Sequence, residues 1–457
     1  MKKLLLSLLC IILTQLLIAQ QDLSTPMLWH LGQHNALNPA STLDSSKITI
    51  SLPNFAYQFK YTGASYNEVV ETRNGERVAD IASAIAQLNP LDNEVLADVS
   101  VETARFIYNT PKWSIQVHHA TRFQSSLVYP KGLAQVAWQG NAAFIGETIE
   151  IGPAFDFLSY EELGIGGSLK FNKLTIGATI NFLGGIGVAT TENNSAKLHT
   201  DEDIYELTLT TDYEVLTADL DANKEQVDFG IFAIDFSDIS LLSFAFPDFS
   251  VGLNKGLFNF GQSNNRGVSL DIGATYKLND QWRFGFSVLD IGKIKWKNNI
   301  NRYQSKETTT FSGVSLGAVN FNEGNVFTFD NLTDSLEQVI NFTASSATFS
   351  TNLPTQAYFN AQYQVSSKLD LGLVLHGRFA TTNTMAASIG GNYQISDFLR
   401  LGATYSVEDK EFYNLGLNAS LHLGPVQIYA ITNNILTAFR PLDANYQTAR
   451  LGVNLIL

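Results

Sequence analysis

The chain has little of several residue types, and each scarcity removes a class of structure. Its 457 residues include a single cysteine, Cys10, which lies in the apolar N-terminal stretch. If that stretch is cleaved as a signal peptide, disulfides and cysteine-ligated metal sites are excluded. Further along, no apolar run approaches the ~20 residues that a membrane-spanning helix needs. Basic residues are also few, with 29 Lys plus Arg against 43 Asp plus Glu, which argues against a nucleic-acid partner.

Residues 1–19 are predicted to be a secretory signal peptide. Lys2 and Lys3 form its basic region, residues 4–18 are mostly apolar, and Leu17-Ile-Ala19 offers a cleavage site. A retained anchor is the alternative, but about fifteen apolar residues are short for a membrane span. A lipoprotein signal at Cys10 is rejected, because this cysteine lies inside the apolar region and follows a bulky leucine. Residues 20–46 are then predicted to be a periplasmic N-terminal segment.

The last eight residues predict a location. In a strand, side chains alternate between the two faces, so residues 450–457 have one continuous apolar face. The positions of Arg450, Gly452, Leu455 and Leu457 resemble the β-signal that marks outer-membrane barrels for assembly. The final residue is leucine, where an aromatic residue is more usual. We therefore predict the outer membrane of a Gram-negative cell as the location, with its lipid and its barrel-assembly machinery as partners.

The body of the chain reads as strands of about ten residues with alternating hydrophobicity, the pattern of a transmembrane β-barrel. In residues 412–423 the apolar side chains fall on one face and Asn, Gly, Ser and His on the other, and residues 267–278 repeat this. The predicted fold is all-β, a transmembrane antiparallel β-barrel over residues 47–457, of about 14–16 strands. The most direct tally is sixteen, and it includes separate strands at about 112–122, 126–139, 146–157 and 161–171. A soluble β-sandwich, with strands of similar period, is the alternative.

Connection lengths favour the barrel, because tight turns and long insertions alternate as they do in outer-membrane barrels. Six tight polar connections suit hairpin turns, and counting back from the C-terminus places all six in the periplasm. They are Asn109-Thr-Pro-Lys112, Phe171-Asn-Lys173, Leu278-Asn-Asp280, Ser366-Ser-Lys368, Ile395-Ser-Asp397 and Leu423-Gly-Pro425. Three insertions, 64–101, 190–264 and 298–353, then fall outside the cell. Asp409-Lys410 departs from this asymmetry, since it would be a tight turn on the outside.

The insertions carry features of their own. Residues 77–101 have helical spacing and are predicted to cover the barrel mouth or to act as a plug or gate. Residues 192–255 contain fourteen acidic residues and three lysines, which indicates a solvated cap. Calcium binding is the sharper alternative, but the loop from Asp219 to Gly230 lacks the glycine and glutamate of an EF-hand. Residues 229–246 are apolar and are predicted to pack against the barrel or to meet a partner.

Five polar residues on the predicted inner faces are candidates to line the lumen, namely Asp271, Lys277, His376, Arg378 and His422. No catalytic, cofactor or metal site is predicted. Gly313-Val-Ser-Leu-Gly317 matches the hydrolase pattern around a nucleophilic serine but lacks the strand–turn–helix context that this pattern requires. His118 and His119 are adjacent and so point to opposite faces of a strand, which is poor for chelation.

Several stretches resemble a family of outer-membrane proteins of unknown function from Bacteroidota. They are residues 34–40, 48–54, 265–278, 287–298 and 424–436. The entry at Asn38-Pro-Ala40 and the barrel plan are more distantly similar to fatty-acid-transporter-like barrels and to barrel subunits of type IX secretion. The resemblance implies a location and a fold, and it supplies no catalytic residues.

Two functions stay open, neither of them enzymatic. One is passive transport of a small hydrophobic solute through a plugged lumen. The other is an accessory or scaffold subunit of an outer-membrane secretion or assembly complex, with a protein partner docked on the acidic and apolar insertions.

Overall fold

The computed structural model describes residues 23–43, 46–73, 76–203, 206–219, 263–311, 341–380, 383–408, 411–439 and 445–457. The predicted signal peptide, the apolar stretch 229–246, the Ser315 motif, the Asp409-Lys410 turn and nearly all of the acidic loop from Asp219 to Gly230 lie outside these residues. In the described part of the chain, no helix is long and apolar enough to cross a membrane.

Fourteen antiparallel strands form one closed barrel, because the last strand pairs with the first. The first strand is interrupted at Leu52 and Pro53, where a proline cannot donate a ladder hydrogen bond. The strands are β1 (Ile48–Ser51 and Asn54–Tyr61), β2 (Asn93–Asn109), β3 (Trp113–Tyr129), β4 (Ala154–Phe171), β5 (Leu174–Thr200), β6 (Arg266–Lys277), β7 (Trp282–Trp296), β8 (Thr355–Gln364), β9 (Leu369–Phe379), β10 (Thr384–Gln394), β11 (Leu399–Glu408), β12 (Glu411–Leu423), β13 (Val426–Thr432) and β14 (Tyr446–Ile456).

The predicted fold class is confirmed, and the tally of sixteen strands is corrected to fourteen. Predicted strands 112–122 and 126–139 are one strand, β3, followed by a helix, Lys131–Gln139. Predicted strands 146–157 and 161–171 are likewise the single strand β4. Alternation fades in the upper parts of β3 and β4 because both faces there pack against protein, as Phe123 and Phe157 do edge to face. A sequence pattern cannot separate this loss of contrast from a turn.

All six predicted tight turns are confirmed, and all six join barrel strands at the same end, which we call the turn end. Two of them use backbone angles that few residues tolerate, with φ of 50° at Asn172 and 63° at Gly424. Asparagine and glycine are the residues that tight hairpins select for these angles. The opposite end, which carries the insertions, is the loop end.

The insertions are more regular than the sequence indicated. In the first, helices Tyr66–Val69 and Ile81–Ala86 flank a hairpin of Val70–Arg73 and Glu76–Ala79, but β2 begins at Asn93. The helical structure predicted for residues 93–101 is therefore wrong, because these residues belong to strand β2. In the second insertion, the strand Leu207–Ala218 pairs with residues 188–200 of β5.

A sheet rises above the barrel at the loop end, and we call it the extension. It consists of residues 188–200 of β5, Leu207–Ala218 and Ile300–Phe311. One face packs its buried Leu198, Leu207 and Leu209 against the helix Lys131–Gln139. Shorter elements complete the described chain, namely Thr148–Glu150, Thr343–Ser345 and Phe349–Asn352 as strands, Ala142–Phe144 as a 3-10 turn and Leu436–Phe439 as a helix.

The barrel is apolar outside and polar inside, the reverse of a globular core. Ile180, Leu270 and Ile389 expose between 38% and 57% of their surface on the outer face. Their inward neighbours Asn181 and Ser269 are at most 1% exposed and hydrogen-bond to each other at 3.1 Å. Because side chains alternate along each strand, one period of two creates both surfaces.

Candidate functional site: the polar barrel interior

Residues 23–43, which we call the inner segment, lie inside the barrel at its turn end. The segment contains a 3-10 turn, Thr25–Met27, and one turn of α-helix, α1 (His34–Leu37). Its polar residues Ser24, Gln33 and Asn35 are as buried as its leucines. Residues 20–46 were predicted to lie in the periplasm. The described part of that stretch lies inside the barrel at its turn end, and that this end faces the periplasm stays a prediction.

The inner segment is held to the barrel wall by neutral hydrogen bonds in several directions. Gln33 and Asn454 of β14 exchange two amide hydrogen bonds of 2.7 Å. Asn360 of β8 donates to the Pro26 carbonyl at 2.6 Å, and Ser287 of β7 donates to the Leu37 carbonyl at 2.5 Å. Each such bond contributes only about 0.5–1.5 kcal/mol net, because water can replace it. The segment is therefore well positioned without being bound by strong ion pairs.

Inward-facing glycines make room for the inner segment. A Cβ at Gly372 of β9 would meet the Met27 side chain at 2.8 Å, and one at Gly177 of β5 would meet the Pro39 backbone at 2.5 Å. The wall thus approaches the segment more closely than any other residue would permit. The wall sequence is shaped to the segment that it encloses.

His34 is the hub of the inner segment. Its Nε2 donates to the Pro26 carbonyl at 3.0 Å, which leaves Nδ1 to accept from the Ser41 hydroxyl at 2.6 Å. The His34 ring stacks on the Trp29 ring with centroids 4.2 Å apart. The Arg283 guanidinium carbon lies over the Trp29 ring, 4.8 Å from its centroid. Burial is the main reason that the pKa of His34 falls to about 4; the hydrogen bond to the Pro26 carbonyl opposes this lowering, and the positive charge of Arg283 adds to it. The segment therefore packs around a neutral imidazole.

His30 lies near the turn-end surface of the same segment. Its Nε2 is 3.1 Å from the Ser420 hydroxyl and its Nδ1 is 3.4 Å from Arg400, which pairs with Asp370 at 3.2 Å. Burial and the Arg400 charge hold the pKa of His30 well below its usual value. Gln427 of β13 contacts both the His30 carbonyl and His422, at 2.9 and 2.6 Å.

A cavity of about 60 Å³ lies beside α1 on the loop-end side of the inner segment. At roughly 10–15 Å³ for a single water, it has room for about four to six. Its lining includes four carboxylates and four arginines, namely Asp98, Glu102, Asp271, Asp290, Arg105, Arg122, Arg378 and Arg450. Gln58, Gln124 and Gln356 add amides, so that polar groups dominate the wall.

The charges in the wall are arranged as pairs. Arg105 holds Glu102 through two nitrogens at 2.6 and 2.9 Å, and also donates to Asn35 of the inner segment at 3.0 Å. Arg122 pairs with Glu162 at 2.8 Å. Arg378 and Asp98 are further apart, at 3.6 Å. Paired charges tolerate burial that isolated ones do not, which permits a charged interior.

A bulge in β7 adds one acidic side chain to the cavity. Leu289 and Asp290 together face Asp271 of β6, and Asp290 has a φ of 61°. The Asp290 amide donates to the Asp271 carboxylate at 2.8 Å, which compensates the unfavourable backbone. Without the extra residue the alternation along β7 would point Asp290 outward.

The structure brings together some of the predicted lumen residues but not all. Asp271 and Arg378 line the cavity, and buried His376 faces inward, with its ring tilted against that of Tyr358 and the two centroids 4.5 Å apart. His422 lies at the turn end beside the inner segment. Lys277 sits exposed on the turn-end rim, paired with Asp280 at 3.2 Å. Contact of any of these residues with a solute stays a prediction.

The residues of the terminal signal lie where the barrel closes. Arg450 lines the cavity, while Gly452 packs so closely inside that a Cβ there would meet Asn54 at 2.6 Å. Leu455 pairs with Ile50 of β1, and the carbonyl of Leu457 accepts from the Ile48 amide at 2.9 Å. Recognition of this strand by an assembly machinery stays a prediction.

Sequence reasoning missed the inner segment and most of the cavity. The segment 34–40 was noted only for its resemblance, although its Asn35 and Asn38 are a polar pair in an otherwise apolar stretch. Asp98 was assigned to the insertion 64–101, whereas Glu102 was assigned to a strand but was not recognised as a lumen residue. Within the described ranges there is no group of three or more His, Cys, Asp or Glu that could hold a metal ion. His118 and His119 do face opposite ways, His118 toward Glu162 and His119 toward Thr103.

Fold and site together define a closed β-barrel with an occupied polar interior. The chain belongs to the family of unknown function DUF5723, whose model matches residues 39–433. The resemblance to a family of this kind is thereby confirmed, while a Bacteroidota origin and a link to type IX secretion stay predictions. No curated protein matches the chain.

The similar solved structures are barrels that align with almost the whole of this chain at very low sequence identity. The Ralstonia pickettii toluene transporter TbuX is 11% identical, with 93% of this chain and 92% of that chain covered and a TM-score of 0.39. The Pseudomonas putida toluene transporter TodX is 9% identical, with 96% of this chain and 93% of that chain covered and a TM-score of 0.38. A Pseudomonas aeruginosa FadL homologue is 11% identical, with 91% of this chain and 91% of that chain covered and a TM-score of 0.37. With TM-scores below 0.5, these similarities assign no substrate to this chain.

Proposed function

We propose that the protein is an outer-membrane β-barrel that passively transports a small solute, with the inner segment as a displaceable plug. One observation carries the proposal. A closed barrel encloses a small polar cavity, and the polar contacts of the segment that blocks its turn end are mainly neutral hydrogen bonds. Such bonds exchange with water at little net cost, so the segment can leave without breaking the barrel.

The outer surface supports a membrane location. Exposed apolar residues occur on consecutive strands, and aromatic side chains gather at the turn end, where Trp282 packs on Tyr363 at 4.8 Å. An apolar band bordered by aromatic residues is what a lipid bilayer selects. With the predicted signal peptide, this supports the outer membrane, its lipid and its barrel-assembly machinery as the environment of the chain.

A lysine in the middle of the apolar band is expected to destabilise the barrel in lipid. Ile180→Lys places a charge in hydrocarbon and should cost about 2–4 kcal/mol, measured by denaturant unfolding in vesicles. Thr210→Lys, on the exposed face of the extension, is the matched control and should leave stability unchanged. Equal stability of the two variants in lipid would refute the membrane band.

The cavity lining indicates how polar the transported solute is. A hydrophobic solute was expected from the sequence, but this lining holds four carboxylates and four arginines. An apolar molecule would remove water from these groups and offer no hydrogen bonds in return, which is costly. The described part of the lumen therefore supports a small polar solute.

Swelling of proteoliposomes tests transport. We expect faster swelling than with protein-free vesicles in urea, glycerol and glycine, and none above background in raffinose, which exceeds the cavity. Uptake of a fluorescent fatty acid, compared with the same vesicles without protein, examines the hydrophobic alternative. Absence of flux for every solute, in wild type and in a variant without the inner segment, would reject the transport function.

An accessory or scaffold role is the second candidate, and the extension favours it. This three-stranded sheet stands above the barrel and has a polar face on which Lys306 and Asp212 pair at 2.6 Å. A structured surface beyond the membrane is not needed for diffusion through a lumen. Purification from native membranes in mild detergent should then recover a protein partner in a fixed ratio, and lose it when Lys306 and Asp212 are both replaced by alanine.

A further inference from the structure

We propose that the cavity beside the inner segment is a binding site for a small zwitterion of the amino-acid type, and so the selectivity site of the pathway. The inference rests on the proposed transport function for its biological meaning, but the binding itself does not require flux. Three properties of the cavity support it, namely its size, the balance of its charges and the buried polar atoms without hydrogen-bond partners among the described residues.

Size limits the ligand. The cavity of about 60 Å³ holds roughly four to six waters, so a ligand of about five non-hydrogen atoms replaces them. Glycine has this size. Larger amino acids would need the inner segment to move.

The balance of charge favours a ligand that carries both signs. Carboxylates and guanidinium groups are equal in number around the cavity. A lone anion would be attracted by the guanidinium groups but repelled by the carboxylates, and a lone cation would meet the reverse. The low dielectric of the interior strengthens both the attraction and the repulsion at short range. A zwitterion adds no net charge and presents one group to each sign.

One ion pair is open enough to receive such a ligand. Arg378 Nη2 and Asp98 Oδ2 are 3.6 Å apart, beyond hydrogen-bond distance. Among the described residues the other Asp98 oxygen, Oδ1, is buried without a hydrogen-bond partner. The ligand carboxylate would contact Arg378, and its ammonium group would contact Asp98, which converts one loose contact into two charge-assisted hydrogen bonds.

Gln58 supplies a second, independent observation. Its side chain is 0% exposed and lines the cavity, yet neither its Oε1 nor its Nε2 has a partner within the part of the chain that the structure describes. A buried amide with both ends unsatisfied costs about 1–3 kcal/mol for each group, unless a ligand or water completes it. One end donates and the other accepts, which matches a molecule with a carboxylate and an ammonium group.

Calorimetry on the purified full-length barrel in detergent tests the site, with glycine as the probe and glycerol and acetate as size-matched controls. Two charge-assisted contacts should make glycine bind at least about tenfold tighter than either control. Equal affinity for glycine and glycerol, or no binding of glycine, would overturn the proposal. This comparison needs only the wild-type protein.

Two neutral replacements locate the site. Asp98→Asn and Arg378→Gln should each weaken glycine binding about tenfold, because each removes the charge from one contact. Lys306→Gln on the extension is the matched control and should bind like wild type. Heat-modifiable migration in gel electrophoresis reports whether each variant has folded. If both variants fold and bind glycine as tightly as wild type, the site is not this cavity.

Flux separates the inference from the function on which it rests. Saturable glycine binding without flux of any solute would support the site and reject transport. Equal flux of glycine, glycerol and urea without saturable glycine binding would support transport through an unselective aqueous lumen and reject the site.

Discussion

Deleting residues 23–41 is expected to raise solute flux and single-channel conductance by about tenfold or more, because the deletion empties the turn end of the lumen. Fourteen strands enclose a wider interior than the eight that side chains alone can fill. In this protein the inner segment supplies the missing volume. The barrel should still close, since β1 and β14 pair through backbone groups that lie outside the deletion. The measurement is conductance in planar bilayers.

The control for this deletion removes a loop-end element of similar kind. The hairpin 70–79 forms its own two-stranded sheet and pairs with no barrel strand in the described residues. Its deletion should leave conductance near the wild-type level. A folded barrel that lacks residues 23–41 and conducts like wild type would show that the inner segment is not the barrier.

A milder change should act in the same direction. Gln33→Ala removes both amide hydrogen bonds to Asn454, whose buried side chain then keeps only its hydrogen bond to Gln427 at 2.7 Å. The substitution destabilises the seated form of the inner segment by about 1–3 kcal/mol and leaves the displaced form unaffected. We therefore expect more frequent openings than in wild type and fewer than in the deletion, which ranks the three proteins by how firmly the segment is held.

Acidification is expected to open the barrel between pH 6.5 and pH 4. In place, His34 is neutral and its pKa is about 4. Displaced into water, the ring regains a pKa near 6.5, so the displaced form binds the proton more tightly. The contribution of His34 to the seated segment is thus complete above pH 6.5 and is lost progressively as the pH falls to 4. Over that window the loss is about 3 kcal/mol, roughly a hundredfold in the equilibrium.

Conductance measured at steps of pH provides the test, and His34→Gln provides the control. The glutamine amide can still donate to the Pro26 carbonyl, as Nε2 does, but it does not titrate. The variant should respond less steeply between pH 6.5 and 4. Its remaining slope reports other groups, including His30, whose pKa is also lowered by burial and by Arg400. Identical pH profiles for the two proteins would remove His34 from the mechanism.

Several features were predicted correctly because they depend on neighbours in sequence. The two faces of β6 and β12 and all six tight turns follow from local alternation and from turn residues such as Asn172 and Gly424. Prediction failed in the upper parts of β3 and β4. There the outer side chains meet protein, so the contrast between faces that marks a strand in lipid is absent.

The candidate site was only partly predictable. Asp271 and Arg378 were found because regular alternation points them inward. Asp290 was not, because the bulge shifts the alternation of β7 by one residue, and a bulge is a property of two paired strands. Asp98 was missed because its strand begins earlier than the pattern indicated.

By itself the sequence determined most of the strands, their inner and outer faces and the end of the barrel at which the tight turns gather, since each depends on a period of two and on residues adjacent in the chain. Only the tertiary structure decided the strand count, the cavity and the position of residues 23–43. Those depend on contacts such as Gln33 with Asn454 and Arg378 with Asp98, between groups hundreds of residues apart, which closure of the barrel alone brings together.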